Sequence, residues 1–444
     1  MWGSADYSRV SRLLLRSLQT AFALSVTGPL TLSTMFKRRR GAGGKATELT
    51  ALCQALLSRR GDVSGARLAA DVVETYASLN DGEADVFFDR LVAMFSPDLE
   101  EVRAAAEAFV QDSSAAALRR LQRVTESPMQ ELFRRWNMAP GGTAVLIGLR
   151  QRLLRTLGEH PDRRRIDDDL MHLFRSWFNR GFLVLQRIDW RTPAVILERL
   201  LEYEAVHQIQ GWRDLRRRLE ADRRCFAFFH PALPDEPLIF IEVALTEGIA
   251  GEVRPLLDPE APVTDPAQAD TAIFYSITNC QEGLRGVSFG NVLIKQVVED
   301  LRREFRRVKT FATLSPIPGF RAWVTSRETR WASADVSRAS ATEQRELTAL
   351  CAEYLLHAKR ENEPADPVAR FHLANGASLE RLNWMADHSR AGIQRSFGLM
   401  ANYVYRLDDL EKNHDAYARA FRVNASRTIE RLARAEPRRT PASA

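Results

Sequence analysis

The sequence predicts an all-helical bundle domain followed by a mixed α/β domain, and three observations predict it. From about residue 46 to 220, apolar residues recur every three to four positions, as in Leu68, Val72, Val73 and Tyr76, or Phe87, Phe88, Leu91, Val92 and Phe95. That is the period of helices with one buried face. At Arg223 the texture changes to β-rich runs, Cys225–Phe229 and Pro237–Val243, separated by Pro231, Pro234 and Pro237 in a hairpin-like pattern. Residues 272–320 then read as an apolar strand, a glycine-bearing loop, an amphipathic helix, and a short second strand ending on Ser315 before a Pro-x-Pro-Gly turn.

Taken in order, residues 1–45 form a basic extension expected to be poorly ordered. The helical domain occupies 46–220. Its breaks and N-caps are Asn80-Asp-Gly-Glu83, Ser96-Pro-Asp98 and Asp112-Ser-Ser114, and Met138 to Gly142 ends another helix. Further helical patterns cover 143–158, 165–177 and 192–203. The α/β domain occupies 221–444. It holds the two strands named above, a Pro/Asp-rich loop at 255–270 and the strand–loop–helix–strand unit. A charged helix at 340–359, a linker at 361–368 and a basic helix at 415–435 complete it. No repeat period is visible, which argues against a solenoid.

Composition bounds the function. The net charge is +6, but residues 1–45 carry eight Lys/Arg against Asp6, so the rest of the chain is close to −1. A body of that charge is not a nucleic-acid surface. The four cysteines, Cys53, Cys225, Cys280 and Cys351, are far apart with no C-x-x-C pattern, which predicts reduced thiols in a cytoplasmic protein and no zinc site. The longest apolar stretch, Thr20 to Phe36, is interrupted by Gly28-Pro29 and is shorter than the ~20 residues a bilayer needs, so no membrane association is expected. The acid-poor, Arg-bearing N-terminus also has the composition of an organelle transit peptide.

A strand, a glycine-bearing loop and a helix in that order make an anion site, because free backbone N–H groups and the helix dipole converge on one spot. Here the loop is Arg285, Gly286, Val287, Ser288, Phe289, Gly290 and Asn291, and the expected ligand is a pyrophosphate. Phosphate-cradling loops of the acetyltransferase superfamily (the GNAT fold) follow Gln/Arg-x-x-Gly-x-Gly/Ala. Started at Arg285, the match is Arg285-Gly-Val-Ser288-Phe-Gly290 with Ser288 in place of the first glycine; started at Gln281, Leu284 takes the fourth position and Gly286 the sixth, so each register departs from the pattern. The following helix sets Leu293, Val297, Leu301 and Phe305 at four-residue steps, which packs it on a sheet and aims its N-terminus at the loop. Taken singly, Ser315 before a proline is a turn residue, His372 is one of eight histidines, and Tyr403 is a core aromatic.

Together these segments resemble malonyl-CoA decarboxylases. The resemblance lies in FYSITNCQEGLRGVSFGNVLIK (274–295), TLSPIPGF (313–320), FHLANGASLERLNWMAD (371–387) and GLMANYVY (398–405). A further stretch, EAVHQIQGWRDLRRRL (204–219), is similar to the hinge between that family's two domains. The resemblance implies a helical oligomerisation domain, likened to a homotetramer's, and a GNAT-like catalytic domain. It also implies conversion of malonyl-CoA to acetyl-CoA and carbon dioxide without a metal or other cofactor. It places a proton-accepting serine on Ser315, a proton-donating histidine on His372, and acyl-CoA contacts on Arg285 to Asn291. Asn279, Asn375 and Tyr403 are further pocket candidates. Loss of carbon dioxide leaves an electron pair that spreads into the thioester carbonyl, and the new methyl carbon must be protonated. An imidazole near its ordinary pKa of ~6.5 suits that step. The alternative is a GNAT-type acyltransferase that moves the acyl group to an amine, and a non-enzymatic helical scaffold with a relic CoA site is a third reading. Malonyl-CoA incubated without an acceptor separates the first two.

Overall fold

The computed structural model describes residues 44–58, 62–287 and 292–434. The basic segment expected at 1–45 lies outside the described residues except for Gly44 and Lys45, as do Ser288, Phe289, Gly290 and Asn291 of the expected anion loop. Helices α1 (Lys45–Ser58), α2 (Asp62–Ala77), α3 (Asp81–Met94), α4 (Leu99–Gln111), α5 (Ala115–Thr125), α6 (Pro128–Asn137), α7 (Gly142–Thr156) and α8 (Arg164–Trp177) make up the helical part. The sequence breaks are its caps. Asn80 accepts from the Glu83 amide while the Glu83 carboxylate accepts from the Asn80 amide, closing a capping box on α3. Asp98 and Ser114 accept the first free amides of α4 and α5, and Ser127 caps α6 with Pro128 in its first turn. The bundle core centres on Trp136, with Phe87 stacked at 6.1 Å, Tyr76 tilted at 5.7 Å and Phe133 edge-on at 6.1 Å.

The second part is built on an eight-stranded sheet. Its chain order is β1 (Val184–Ile188), α9 (Ala194–Tyr203), α10 (Trp212–Arg218), β2 (Arg223–Phe229), β3 (Ile239–Thr246), α11 (Arg254–Leu257), β4 (Thr271–Asn279), α12 (Val292–Glu304), β5 (Thr310–Thr313), β6 (Ser315–Pro316), α13 (Phe320–Arg327) and α14 (Ala341–His357). After a small separate ladder of β7 (Lys359–Arg360) and β8 (Glu363–Pro364) come α15 (Pro367–Ala374), β9 (Ser378–Asn383), α16 (Arg390–Ser396), β10 (Met400–Val404), α17 (Leu410–Ala420) and α18 (Arg427–Arg434). The strand order is β1-β2-β3-β4-β5-β10-β6, with β9 also on β10. Every pairing is antiparallel except β4 with β5. Helix α12 makes that parallel crossover, as such a connection requires. Both faces of the sheet are covered. On β2, Phe226 and Phe228 enter the large core with α12 and α14, while Cys225, Ala227 and Phe229 pack under α9 with Ile196, Leu197 and Leu200. This is the period-two alternation of a strand buried on both sides.

Three expectations change. Continuous helix to residue 220 is interrupted by β1, which pairs in full with β2 from Val184↔Phe229 to Ile188↔Cys225. The sheet therefore begins before the expected boundary at 220/221, and α9 and α10 belong to its outer layer. The strand expected to end on Ser315 stops at Thr313. Leu314 hydrogen-bonds back to the Phe274 carbonyl, and Ser315-Pro316 pair separately with β10. The basic helix expected over 415–435 is two helices. Phe421 takes a left-handed conformation at the end of α17, and Ala425 bridges to Leu379 before α18 starts.

Candidate active site

The site lies where the sheet opens. Strands β4 and β5 are paired from Thr271↔Thr310 to Phe274↔Thr313 and then part. Beyond that point β4 continues along β3 as far as Asn279, while Leu314 turns the other chain toward β10. The wedge between them is a pocket of about 210 Å3. Tyr275, Ile277 and Asn279, alternate residues of β4, line one wall. Ser315 and Pro316 line the opposite wall, and Pro367, Val368, Phe371 and His372 of α15 close it. Phe274 and Val206 complete the lining, and none of the described lining residues is Lys or Arg.

Local chemistry fixes each side chain. Helix α15 is short but capped at both ends. Buried Asp366 accepts from the Val368 and Ala369 amides and Pro367 occupies the first turn. At the other end Asn375 is the C-cap and Gly376 takes φ 82°. A Cβ on Gly376 would stand 2.3 Å from the Leu410 carbonyl oxygen, so glycine is required there for conformation and for space. This geometry turns His372, 3% exposed, into the pocket. Ser315 is placed by β10 through Asn402, which is fully buried. The Asn402 amide donates to the Thr313 and Ala250 carbonyls, and its oxygen accepts from Arg381 and Asn383. Its neighbour Tyr403 donates its backbone N–H to the Thr313 hydroxyl oxygen.

Ser315 and His372, 57 positions apart in sequence, meet at 2.9 Å between Oγ and Nε2. The Ser315 hydroxyl donates to Thr313 Oγ1 at 2.8 Å. With its proton engaged there, Ser315 Oγ accepts from Nε2–H, and Nδ1 accepts from the Tyr405 hydroxyl at 2.7 Å. The tautomer is assigned from this network. The His372 ring lies over the Tyr403 ring, with centroids 4.7 Å apart. Burial lowers the His372 pKa from its ordinary value to about 3, since a desolvated imidazole disfavours its charged form. His372 is therefore a neutral imidazole at pH 7, not the imidazole of ordinary pKa that the sequence suggested.

The other expected residues divide. Asn279 lines the pocket. Tyr403 supports His372 from behind, and the Tyr405 hydroxyl, which the sequence reading passed over, makes the polar contact. Asn375 is outside the pocket lining. Its amide donates to the Phe371 carbonyl as part of the helix cap. Arg285, Gly286 and Val287 leave the far end of β4 by way of a 3-10 turn at Glu282–Leu284. Gly286 has φ 83°, the Arg285 side chain is exposed, and Val287 is buried in the helical bundle's core. Cys280 is buried and its thiol is pushed up by desolvation, which makes it a packing residue and not a nucleophile.

The segment similar to a hinge is a buried brace. Glu204 Oε1 accepts from the Val206 and His207 amides, both at 2.7 Å, and Oε2 accepts from Ser276 on β4. Arg218 links Asp214, Glu242 on β3 and the His207 carbonyl. The pocket wall at Val206 is thereby fixed to the sheet.

Comparison with known proteins agrees with this architecture. The family model described as malonyl-CoA decarboxylase N-terminal domain matches residues 95–178, and that of the C-terminal domain matches 181–344 and 326–443. The mitochondrial malonyl-CoA decarboxylase of Anser anser anser is 36% identical over 341 residues, which is 67% of this chain and 68% of the relative. That of Mus musculus is 35% identical over 342 residues, 67% and 69% of the two chains. The crystal structure of malonyl-CoA decarboxylase from Rhodopseudomonas palustris superposes with a TM-score of 0.81 at 48% identity, covering 87% of this chain and 99% of that one. The Agrobacterium vitis structure gives 0.80 at 45% identity with the same coverage. With both domains matched in order and the fold shared almost end to end, the chain belongs to the malonyl-CoA decarboxylase family.

Proposed function

We propose that the chain decarboxylates malonyl-CoA to acetyl-CoA and carbon dioxide, with Ser315 and His372 carrying the chemistry. The observation that supports this most is the hydrogen-bonded pair at 2.9 Å in a pocket whose described lining residues include no Lys or Arg. A carboxylate entering such a pocket loses hydration without meeting a permanent cation among the described lining residues, and it recovers by leaving as neutral carbon dioxide. The electron pair stays on the thioester as an enolate, because the carbonyl is itself the electron sink. The reading therefore assigns no step to a metal or prosthetic group. One proton is consumed per turnover, at the new methyl carbon.

His372 supplies that proton in this reading. Two opposite charges ~4 Å apart at an effective dielectric of ~20 interact by about 4 kcal/mol, roughly three pKa units. A bound malonyl carboxylate would thus raise the imidazole pKa from its buried value of about 3, which brings protonation within reach. Tyr405 then accepts from Nδ1–H of the charged ring, and Ser315 lies between Nε2 and the substrate. A GNAT-type acyl transfer has no such need for a proton donor at the acyl carbon. The test is malonyl-CoA with the purified chain and no acceptor. Acetyl-CoA and carbon dioxide in equal amounts support the reading, and an unchanged substrate refutes it.

Self-association through the helical part belongs to the same proposal. Helices α4 and α5 pair with each other, yet Ala105 is the one fully buried residue described on them, and Leu99, Val110 and Leu118 are exposed. The first helix is acidic (Glu100, Glu101, Glu107) and the second basic (Arg119, Arg120, Arg123), so a second copy related by a two-fold axis would match opposite charges. Loss of the oligomer in Leu118→Glu by sedimentation is the expected result, and an unchanged mass refutes it. The four described cysteines are free and buried, which supports a reducing compartment. Two of the relatives above carry the word mitochondrial in their names, so fusing residues 1–45 to a reporter tests organelle import against a cytoplasmic location.

A further inference from the structure

The turn that opens the expected CoA loop is seated in the helical bundle and not on the sheet. Arg150 of α7 is 3% exposed, and its Nη1 donates to two main-chain carbonyls, Gly283 at 2.7 Å and Arg285 at 2.8 Å. Its Nε is held by Asp167 of α8 at 2.7 Å. Gly283 sits so close to α7 that a Cβ would stand 2.1 Å from the Ile147 carbonyl oxygen. Leu284 and Val287 are buried in the bundle core.

A planar guanidinium that grips two carbonyls fixes both position and orientation of the backbone. In a trans peptide the C=O and the next N–H point opposite ways. Drawing the Arg285 carbonyl into the bundle therefore turns the Gly286 N–H outward, where an incoming phosphate oxygen can accept from it. We infer that Arg150 is a positioning residue for substrate affinity: through it the helical domain presents this backbone to the nucleotide end of the acyl-CoA. The inference rests on the proposed reading of the loop as the CoA handle. Arg150 does not line the pocket of Ser315 and His372, so its loss acts on binding and leaves the chemical step intact.

The test measures steady-state kinetics of the full chain with malonyl-CoA and with malonyl-N-acetylcysteamine, a thioester that lacks the nucleotide. Arg150→Lys keeps the charge but cannot serve two carbonyls and Asp167 in one plane. It is expected to raise KM for malonyl-CoA at least fivefold, with kcat within twofold and neither constant changed for the truncated thioester. An unchanged KM for malonyl-CoA, or equal rises for both substrates, overturns the inference. If Arg150→Lys fails to fold, Asp167→Asn, which loosens the same guanidinium, is read by the same split and the same criteria. Failure of the parent reading looks different: wild type itself would then show the same KM for both thioesters or turn over neither.

Discussion

Replacing Tyr405 by Phe tests the geometry of the site at one atom. Tyr405 is 2% exposed and its hydroxyl lies 2.7 Å from His372 Nδ1. Phe keeps the ring and its edge contact with Phe274 at 6.2 Å, so no cavity opens. In the resting enzyme the change leaves a buried acceptor without its donor. In the protonated state it removes an acceptor from a buried imidazolium. A hydrogen bond to a charged group contributes about 1.5–3 kcal/mol. If that is made chiefly when His372 is charged, kcat falls roughly 10- to 150-fold. KM changes little, because Tyr405 is not among the pocket-lining residues. The pH profile carries a second signature. With less stabilisation of the imidazolium, the apparent pKa of kcat falls, and activity is lost at lower pH than in wild type. The assay is the rate of acetyl-CoA formation from malonyl-CoA between pH 5.5 and 8.5, with thermal melting as a control for folding. A variant within threefold of wild type with an unshifted profile would refute a role for the Tyr405–His372 contact.

Other expected outcomes follow from the same structure. Gly283→Ala forces its Cβ to 2.1 Å from a backbone oxygen of α7, and overpacking of this kind costs about 1–3 kcal/mol, so a lower melting temperature and a raised KM for malonyl-CoA are expected together. Asn402→Ala strips donors from the Thr313 and Ala250 carbonyls; a loss on the order of 3 kcal/mol in denaturant unfolding should accompany a lower kcat, since Thr313 holds Ser315. His372 also makes stability depend on pH. Its folded pKa, about 3, lies below the unfolded value of 6.5, so its contribution is complete above pH 6.5 and is lost as pH falls toward 3. Between pH 7 and pH 5 this amounts to about 2 kcal/mol, and His372→Gln should show a correspondingly shallower acid loss of stability.

Much of the scaffold was legible because its signals are local. The Asn80–Glu83 and Ser340–Glu343 capping boxes announce α3 and α14 within four residues, and the strand–loop–helix unit has its apolar face at helical spacing. Strand β1 was not legible. Val184–Ile188 is a five-residue edge strand in which Val184, Gln186 and Arg187 are exposed and only Ile188 is buried, so it lacks the apolar alternation that marks a strand. The pairing of Ser315 with His372 came from the motif resemblance, since no local pattern joins residues 57 apart. Tyr403 and Tyr405 share a face by strand periodicity, and only the three-dimensional placement of Nδ1 selects Tyr405. Arg150 was invisible for the same reason: its partners are carbonyls 133 and 135 positions away, and a backbone acceptor leaves no trace in residue type. The His372 pKa depends on complete burial, which the sequence around HLANGA does not encode.

The most direct measurement is single-turnover decarboxylation of malonyl-CoA by wild type beside His372→Ala and Ser315→Ala, each checked for folding by melting temperature. General acid–base catalysis contributes typically 10²–10⁴-fold, so His372→Ala is expected to lose at least 100-fold in the rate of acetyl-CoA formation, with Ser315→Ala similarly impaired. A folded His372→Ala protein turning over near the wild-type rate would contradict the account.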